Sequence, residues 1–340
     1  MNVLNTLFVL SPGAYVAKDH RNLVVKIGGE IRLRVPIHGL ASVACFGHVM
    51  MSPEAMGSSV AAGVHVAFFS QTGRFIARVE GLGRGSLALR RSQLKATEDE
   101  RRASSVARSI VIGKIANSRQ LLLRRARETA DEERSSRLAG AADHLSRLLP
   151  SLHAAASPDE IRGYEGDAAS RYFAVFGDCI SAPGFTFSGR SRRPPRDPIN
   201  ALLSFAYAIL LNDCVSALAG VGLDPDAGFL HCDRPGRPSL GLDLMEELRS
   251  AFADRLVLAV LNRAQVDRDD FVVDPAGGVS MKETARRNFL ASYQTRKQEE
   301  VTHPFLQRSV PWAVIPHLQA RLLARHLRGD LSAYPPFVMR

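Results

Sequence analysis

Gly81-Leu-Gly-Arg-Gly85 divides this chain into two stretches of different character. The five residues resemble a phosphate-binding loop, but no lysine with a following Ser or Thr closes them and no strand–loop–helix unit surrounds them. They read as a linker, 81–86, across which the fold class changes. On the N-terminal side, 1–80, short runs of branched residues alternate with turn signals: Leu4–Leu10, Tyr15–Lys18, Leu23–Ile27 and Ile31–Val35 are separated by Ser11-Pro-Gly13, Asp19-His20 and Gly28-Gly29. Leu23–Ile27 and Glu30–Val35 flank a two-residue Gly-Gly loop and predict a hairpin. Its second strand alternates, with Ile31, Leu33 and Val35 on one face and Arg32 and Arg34 on the other. Val43–Phe46, Val64–Phe69 and Phe75–Val79 complete the strands, and Ser52-Pro53-Glu54 opens a short helix. On the C-terminal side, 87–340, the pattern is helical almost to the end. The expectation is an α+β protein, a small β-rich domain followed by a larger helical one.

The composition suits a soluble globular chain. Its 340 residues are 46% hydrophobic and 23% charged, enough for two domains with buried cores. The net charge is +10 and the pI about 9.9. Such an excess, mostly arginine, favours polyanionic partners, nucleic acid before membrane, although a basic protein need bind neither. Cys45, Cys179, Cys214 and Cys232 are scattered with no C-x-x-C pair, which argues against a zinc cluster or disulfide framework and fits a reducing cytosol. No secretory signal pattern opens the chain. Ile199–Leu211 is interrupted by Asn200 and Ser204 and reads as a buried core helix, begun at Asp197 or Pro198 and ended at Gly220.

Acidic residues on apolar helix faces carry the chemistry. Over Tyr164–Phe176, Glu165 shares a face with Ala168, Ala169, Tyr172, Phe173 and Phe176. Such a carboxylate needs a partner or a cation, unless it only faces the positive end of the helix dipole in the first turn. Gly228-Phe-Leu-His231 ends an apolar run. After the turn at Pro235-Gly236 and Pro238 comes a helix in which Asp243, Glu246 and Glu247 all lie on largely apolar turns, and the spacing leaves open which acid faces inward. Two carboxylates and one imidazole suit Mg²⁺ or Mn²⁺ with open positions. His20, His38, His48 and His65 have no second ligand at helix or strand spacing and read as turn or surface residues. The loop Gly184–Pro198 carries Arg190, Arg192, Arg193 and Arg196, either a solvated connector or a contact for phosphate backbone. The same alternatives hold for Arg119, Arg124, Arg125 and Arg127. Tyr334-Pro-Pro-Phe337 is too proline-rich to continue a helix. The sequence lacks an H-E-x-x-H zinc motif, a G-x-S-x-G elbow and a dinucleotide fingerprint.

Four segments together resemble one family, the CRISPR-associated integrase of the adaptation stage (the first-numbered Cas protein): Tyr164-Glu-Gly-Asp-Ala-Ala-Ser-Arg-Tyr-Phe173, Asp197-Pro-Ile-Asn-Ala-Leu-Leu-Ser-Phe-Ala-Tyr207, Gly228-Phe-Leu-His231 and Ser239-Leu-Gly-Leu-Asp-Leu-Met-Glu-Glu247. The proline-rich loop before Asn200 and the Tyr-Pro-Pro-Phe ending resemble the type I-C branch. The resemblance implies a metal-dependent DNA endonuclease and integrase that inserts short foreign DNA into the CRISPR array. It implies Glu165, His231 and Glu246 as metal ligands and catalytic groups, a homodimer formed through the β-rich domain, and a bridging dimer of the small second-numbered Cas protein. One departure is Glu247-Leu-Arg-Ser250, where the family often has Glu-Phe-Arg-Pro; it touches no implied ligand. The alternative expectation is a basic DNA-binding scaffold whose metal site is structural or dead.

Overall fold

The computed structural model describes residues 5–81 and 87–339. The expected linker 81–86 lies outside the described residues except for Gly81, as does Leu4 of the first expected strand. The N-terminal elements are β1 (Thr6–Val9), β2 (Tyr15–Asp19), β3 (Asn22–Ile27), β4 (Glu30–Pro36), β5 (Ser42–Phe46), β6 (Met50–Met51), α1 (Pro53–Ala61), β7 (His65–Phe69) and β8 (Phe75–Val79). They form two four-stranded sheets, ordered β1-β5-β7-β8 and β4-β3-β2-β6. The hairpin sits where the Gly-Gly loop placed it: β3 pairs antiparallel with β4, and Gly28 and Gly29 both have positive φ. The alternating face of β4 is not half-buried, however. Ile31 is 48% and Leu33 45% exposed, and β4 is the edge of its sheet.

Period-two alternation gives β5 and β7 two apolar faces. Val43, Cys45 and Val66 join Leu7, Val16 and Leu23 in a core between the sheets. Ala44, Phe46, Ala67 and Phe69 face the helices and belong to the main core. Phe46 stacks on Phe69 with centroids 4.8 Å apart and meets Phe205 at 5.7 Å, and Phe205 meets Phe289 edge-on at 5.8 Å.

The helical part contains α2 (Leu87–Glu98), α3 (Glu100–Glu128), α4 (Glu132–Ala154), α5 (Pro158–Ala174), α6 (Pro198–Val221), α7 (Ser239–Glu246) and α8 (Arg255–Asn262), followed by β9 (Phe271–Val273), β10 (Val279–Met281), α9 (Glu283–Gln298), β11 (Glu300–His303), β12 (Arg308–Pro311) and α10 (Ile315–Arg328). Two antiparallel ribbons, β9/β10 and β11/β12, thus interrupt a stretch that reads as helical. The break expected at His303-Pro304 is the turn of the second ribbon. Buried His303 makes that turn, its ring bonded to Gln319 of α10 and to the Leu306 amide.

α6 is the axis of the helical body. Asp197 caps it by accepting the Asn200 amide at 2.8 Å, with Pro198 in its first turn. It runs past Gly220 and ends at Gly222, which takes the left-handed conformation. It is long and apolar enough to cross a membrane, but 72% of its most apolar window is buried inside this fold, as a core helix requires. Because Phe205 joins both parts of the molecule, Phe205→Ala should lower the unfolding free energy by about 4 kcal/mol in a urea titration.

Candidate metal centre

α5 begins at Pro158, with Ser157 capping the Glu160 amide, so Glu165 stands two turns into the helix rather than in its first turn. The helix dipole therefore does not account for it. Glu165 instead meets the ammonium of Lys114, which extends from α3. The same Nζ lies 2.7 Å from Oε2 of Glu246, at the end of α7. Glu246 is 2% exposed, and its other oxygen lies 3.0 Å from the Arg249 guanidinium. Burial pushes this carboxyl up, but the charges of Arg249, Lys114 and His231 outweigh it and hold the group well below the usual carboxylate range.

His231 reaches the cluster from the loop between α6 and α7. A side chain at Gly228 would bring a Cβ to 2.7 Å from Ser239 and 2.9 Å from the His231 carbonyl, so only glycine fits this turn. Asp243, fully buried, accepts the amides of Phe229, Leu230 and His231 at 2.6, 3.0 and 3.0 Å. It also meets His231 Nδ1 at 2.7 Å. In the neutral form that a metal would require, this bond puts the proton on Nδ1 and leaves the Nε2 lone pair on the side of Glu246, 3.8 Å from Oε1. Of the three acids left open by spacing, Glu246 thus faces the cluster and Asp243 orients the histidine. Glu247 turns away, accepting Tyr334 at 2.7 Å and Gln319 and the Phe337 amide at 2.8 Å. Burial pushes its carboxyl up to about 7 against these donors.

The chain does not continue as plain helix after α7. Arg249–Asp254 forms a π-helical turn, whose extra residue returns Asp254 to the interior. There Asp254 accepts Tyr172 of α5 at 2.8 Å and Tyr207 of α6 at 2.6 Å, tying together the helices around Lys114.

Lys114, Arg249 and Asp254 were not among the residues that sequence reasoning picked out. The signal for Lys114 is a run of polar residues, Lys114, Asn117 and Ser118, at spacings of three and four on the inward side of a helix that also buries Ile110, Val111 and Ile115. Asn117 donates to the carbonyls of Glu247 and Phe337 at 2.8 Å each, and so fastens the Tyr-Pro-Pro-Phe tail behind α7.

The arginine loop divides. Arg190 turns inward, to Asn200 at 2.7 Å and Ser204 at 3.1 Å, with its guanidinium 5.5 Å from the Tyr207 ring centroid. Arg192, Arg193 and Arg196 remain exposed. On α3, Arg124 and Arg125 pair with Glu128, each at 2.7 Å.

Among the described residues no three His, Cys, Asp or Glu side chains converge closely enough to hold an ion as they stand. Lys114 occupies the space between Glu165 and Glu246. The donor set nevertheless fits a hard divalent cation. Glu246 Oε2 is buried with the Lys114 ammonium beside it at 2.7 Å, His231 Nε2 lies 3.8 Å from the other oxygen of the same carboxylate, and a positive group already fills the gap between the two acids.

A β-rich layer on a helical body, with a buried carboxylate–imidazole cluster between α3, α5 and α7, defines a class of basic proteins built around one acidic centre. Comparison with known proteins is specific. The family model described as CRISPR associated protein Cas1 matches residues 7–295. The CRISPR-associated endonuclease Cas1 2 of Rhodospirillum rubrum is 48% identical over 341 residues, 98% of each chain. Cas1 1 of Chlorobaculum tepidum is 44% identical over 339 residues, 99% of each. Among solved structures, a casposase bound to integration product superimposes with a TM-score of 0.83 at 22% identity, covering 97% of this chain and 93% of that one. The Cas6-RT-Cas1–Cas2 complex gives 0.83 at 25%, covering 98% of this chain and 36% of a longer polypeptide. This chain belongs to the Cas1 family.

Asp254 gives the centre a pH dependence. Burial raises its carboxyl above the ordinary 3.8, more than its tyrosine donors and neighbouring arginines lower it. In the folded protein it therefore keeps its proton after the unfolded chain has lost its own, so stability falls as pH rises through and above 3.8 until the folded group ionises. An asparagine there can still bond both tyrosines. The unfolding free energy of Asp254→Asn relative to wild type, measured in urea at steps from pH 4 upward, should shift in favour of the variant as pH increases; a pH-independent difference would refute this.

Proposed function

We propose that this protein is a divalent-metal-dependent DNA endonuclease and integrase of CRISPR adaptation, inserting short foreign DNA into the CRISPR array. The observation that carries the reading is that Glu165 and Glu246, from separate helices, share one ammonium, with His231 Nε2 3.8 Å from Glu246, in a Cas1-family chain. Those three side chains would hold Mg²⁺ or Mn²⁺. Such an ion, when bound, supplies Lewis-acid stabilisation of the charge that develops on a phosphodiester. Asp243 keeps the imidazole in the tautomer that offers Nε2, and Arg249 fixes the rotamer of Glu246. In the proposed reaction a 3′-hydroxyl attacks a phosphodiester at the repeat boundary and the former bridging oxygen leaves. One phosphodiester replaces another, so no nucleotide energy source is consumed.

Exposed Arg192, Arg193 and Arg196 would contact phosphates, whereas Arg190 supports the loop from within. The open edge of β4, with Ile31 and Leu33 exposed, supports a homodimer through a β-rich domain, 1–80, joined by the linker 81–86 to a catalytic domain, 87–340. The Cas1–Cas2 assembly of a structural neighbour supports the small second Cas protein as partner. Assignment to the type I-C branch rests on the loop before Asn200 and the Tyr334–Phe337 ending, and a cytoplasmic location on the family and the free cysteines.

A strand-transfer assay with the small partner and a repeat-bearing plasmid tests the reading. Joining should require Mn²⁺ or Mg²⁺ and fall at least a hundredfold in His231→Ala, with DNA binding retained. Joining that survives the substitution would place the centre elsewhere; binding without joining in either metal would favour the scaffold. For the arginine loop, the Arg192→Ala, Arg193→Ala, Arg196→Ala triple variant should reduce the slope of log affinity for duplex DNA against log salt by about 3. An unchanged slope would remove the loop from the interface.

A further inference from the structure

Lys114 belongs to neither the ligand set nor the basic surface, yet it contacts both of the implied acidic ligands. Its ammonium touches Glu165 and lies 2.7 Å from Glu246 Oε2. Its side chain is only 10% exposed. The backbone that carries it is clamped: one turn on, Asn117 is bonded to the carbonyls of Glu247 and Phe337, and Ser118 meets Ser250 at 3.2 Å. What can move is the four-carbon stem, and the site opens to solvent on the side of Glu165, which is 27% exposed.

The other cation of the centre is of a different kind. Arg249, its side chain 14% exposed, holds Glu246 Oε1 at 3.0 Å and lies over the Tyr207 ring with its guanidinium 4.8 Å from the centroid. A planar group held on two sides is a permanent partner, whereas an ammonium on a flexible stem is an exchangeable one. The two cations also serve different oxygens. Arg249 takes Oε1, and Lys114 takes Oε2 together with Glu165, the pair of acids to which a divalent ion would bind.

The geometry points to Lys114 as a resident counter-ion that holds Glu165 and Glu246 together without metal and is displaced when a divalent cation binds, so that it sets the affinity of the centre. This rests on the metal-dependent reading above. An ammonium and a divalent ion cannot share one gap between two carboxylates, because they repel each other and fill the same volume. The lysine neutralises Glu165 and supplies Oε2 of buried Glu246 with a partner that Arg249 does not reach, and the need to displace it weakens metal binding. It is a positioning residue, acting on the ligands rather than on DNA.

Mn²⁺ titration of the full chain without DNA, followed by the electron paramagnetic resonance of free Mn²⁺, tests this on wild type, Lys114→Met and Lys114→Gln. Thermal melts with and without Mn²⁺ run alongside. Methionine keeps the length of the stem without charge, and glutamine keeps a donor for the carboxylates in case methionine does not fold. Both should bind Mn²⁺ at least tenfold more tightly than wild type. Both should melt lower than wild type in chelator and gain more from Mn²⁺. Equal or weaker affinity in the variants, with wild type binding in a His231-dependent way, overturns the inference and leaves the metal centre standing. No binding to any of the proteins overturns the metal centre, and this inference with it.

Discussion

A carboxylate sealed from water has to meet positive charge or give up its own, and Glu246 keeps its charge by meeting two cations. Much of the surrounding architecture follows from that requirement. α3 delivers Lys114, the π-helical turn delivers Arg249, and α5 brings Glu165 to share the lysine. The tail closes the far side of α7 by occupying Glu247, so that the two adjacent acids face opposite ways. An ordinary helical turn after Glu246 would not return Asp254 to Tyr172 and Tyr207, and the helices that flank the lysine would lose their common anchor.

The β-rich layer is joined to this body through one face of two strands. Val43 and Cys45 pack between the sheets, while Ala44 and Phe46 pack on α6. Phe205 therefore lies against both parts, and α6, which carries it, also carries Tyr207 to the floor of the acidic centre. What the strands leave over is an open edge, β4, with apolar side chains outward. A surface of that kind is satisfied by another strand, whereas the acidic centre is satisfied by cations, so the two ends of the molecule suit different partners.

Much of the architecture was legible along the chain. The Gly-Gly hairpin, the Ser-Pro-Glu helix start and the core helix from Asp197 are local signals, each decided within a few residues, and the structure holds all three. The short ribbons β9/β10 and β11/β12 were not legible, because three- and four-residue strands carry too little periodicity against a helical background. The end of α6 was read two residues early, at Gly220, since composition cannot tell which of two nearby glycines turns left-handed.

At the centre, periodicity shows that Glu165 and an acid of the segment after Pro238 sit on apolar faces, and leaves Asp243, Glu246 and Glu247 equivalent. Only tertiary structure separated them: Asp243 is claimed by three backbone amides and the imidazole, Glu247 by the tail, and Glu246 by the two cations. Each choice depends on partners far along the chain, Lys114 and Tyr334 among them, and no spacing rule within one helix reports them. The inward turn of Arg190 has the same origin, since Asn200, Ser204 and Tyr207 become its neighbours only when the loop folds back on α6. The sequence by itself determined which segments form elements and which residue types they bring inward, because those are matters of local propensity and hydrophobic period. Which charge meets which was decided by packing, because a buried ion pair forms only where distant elements are brought within hydrogen-bonding distance.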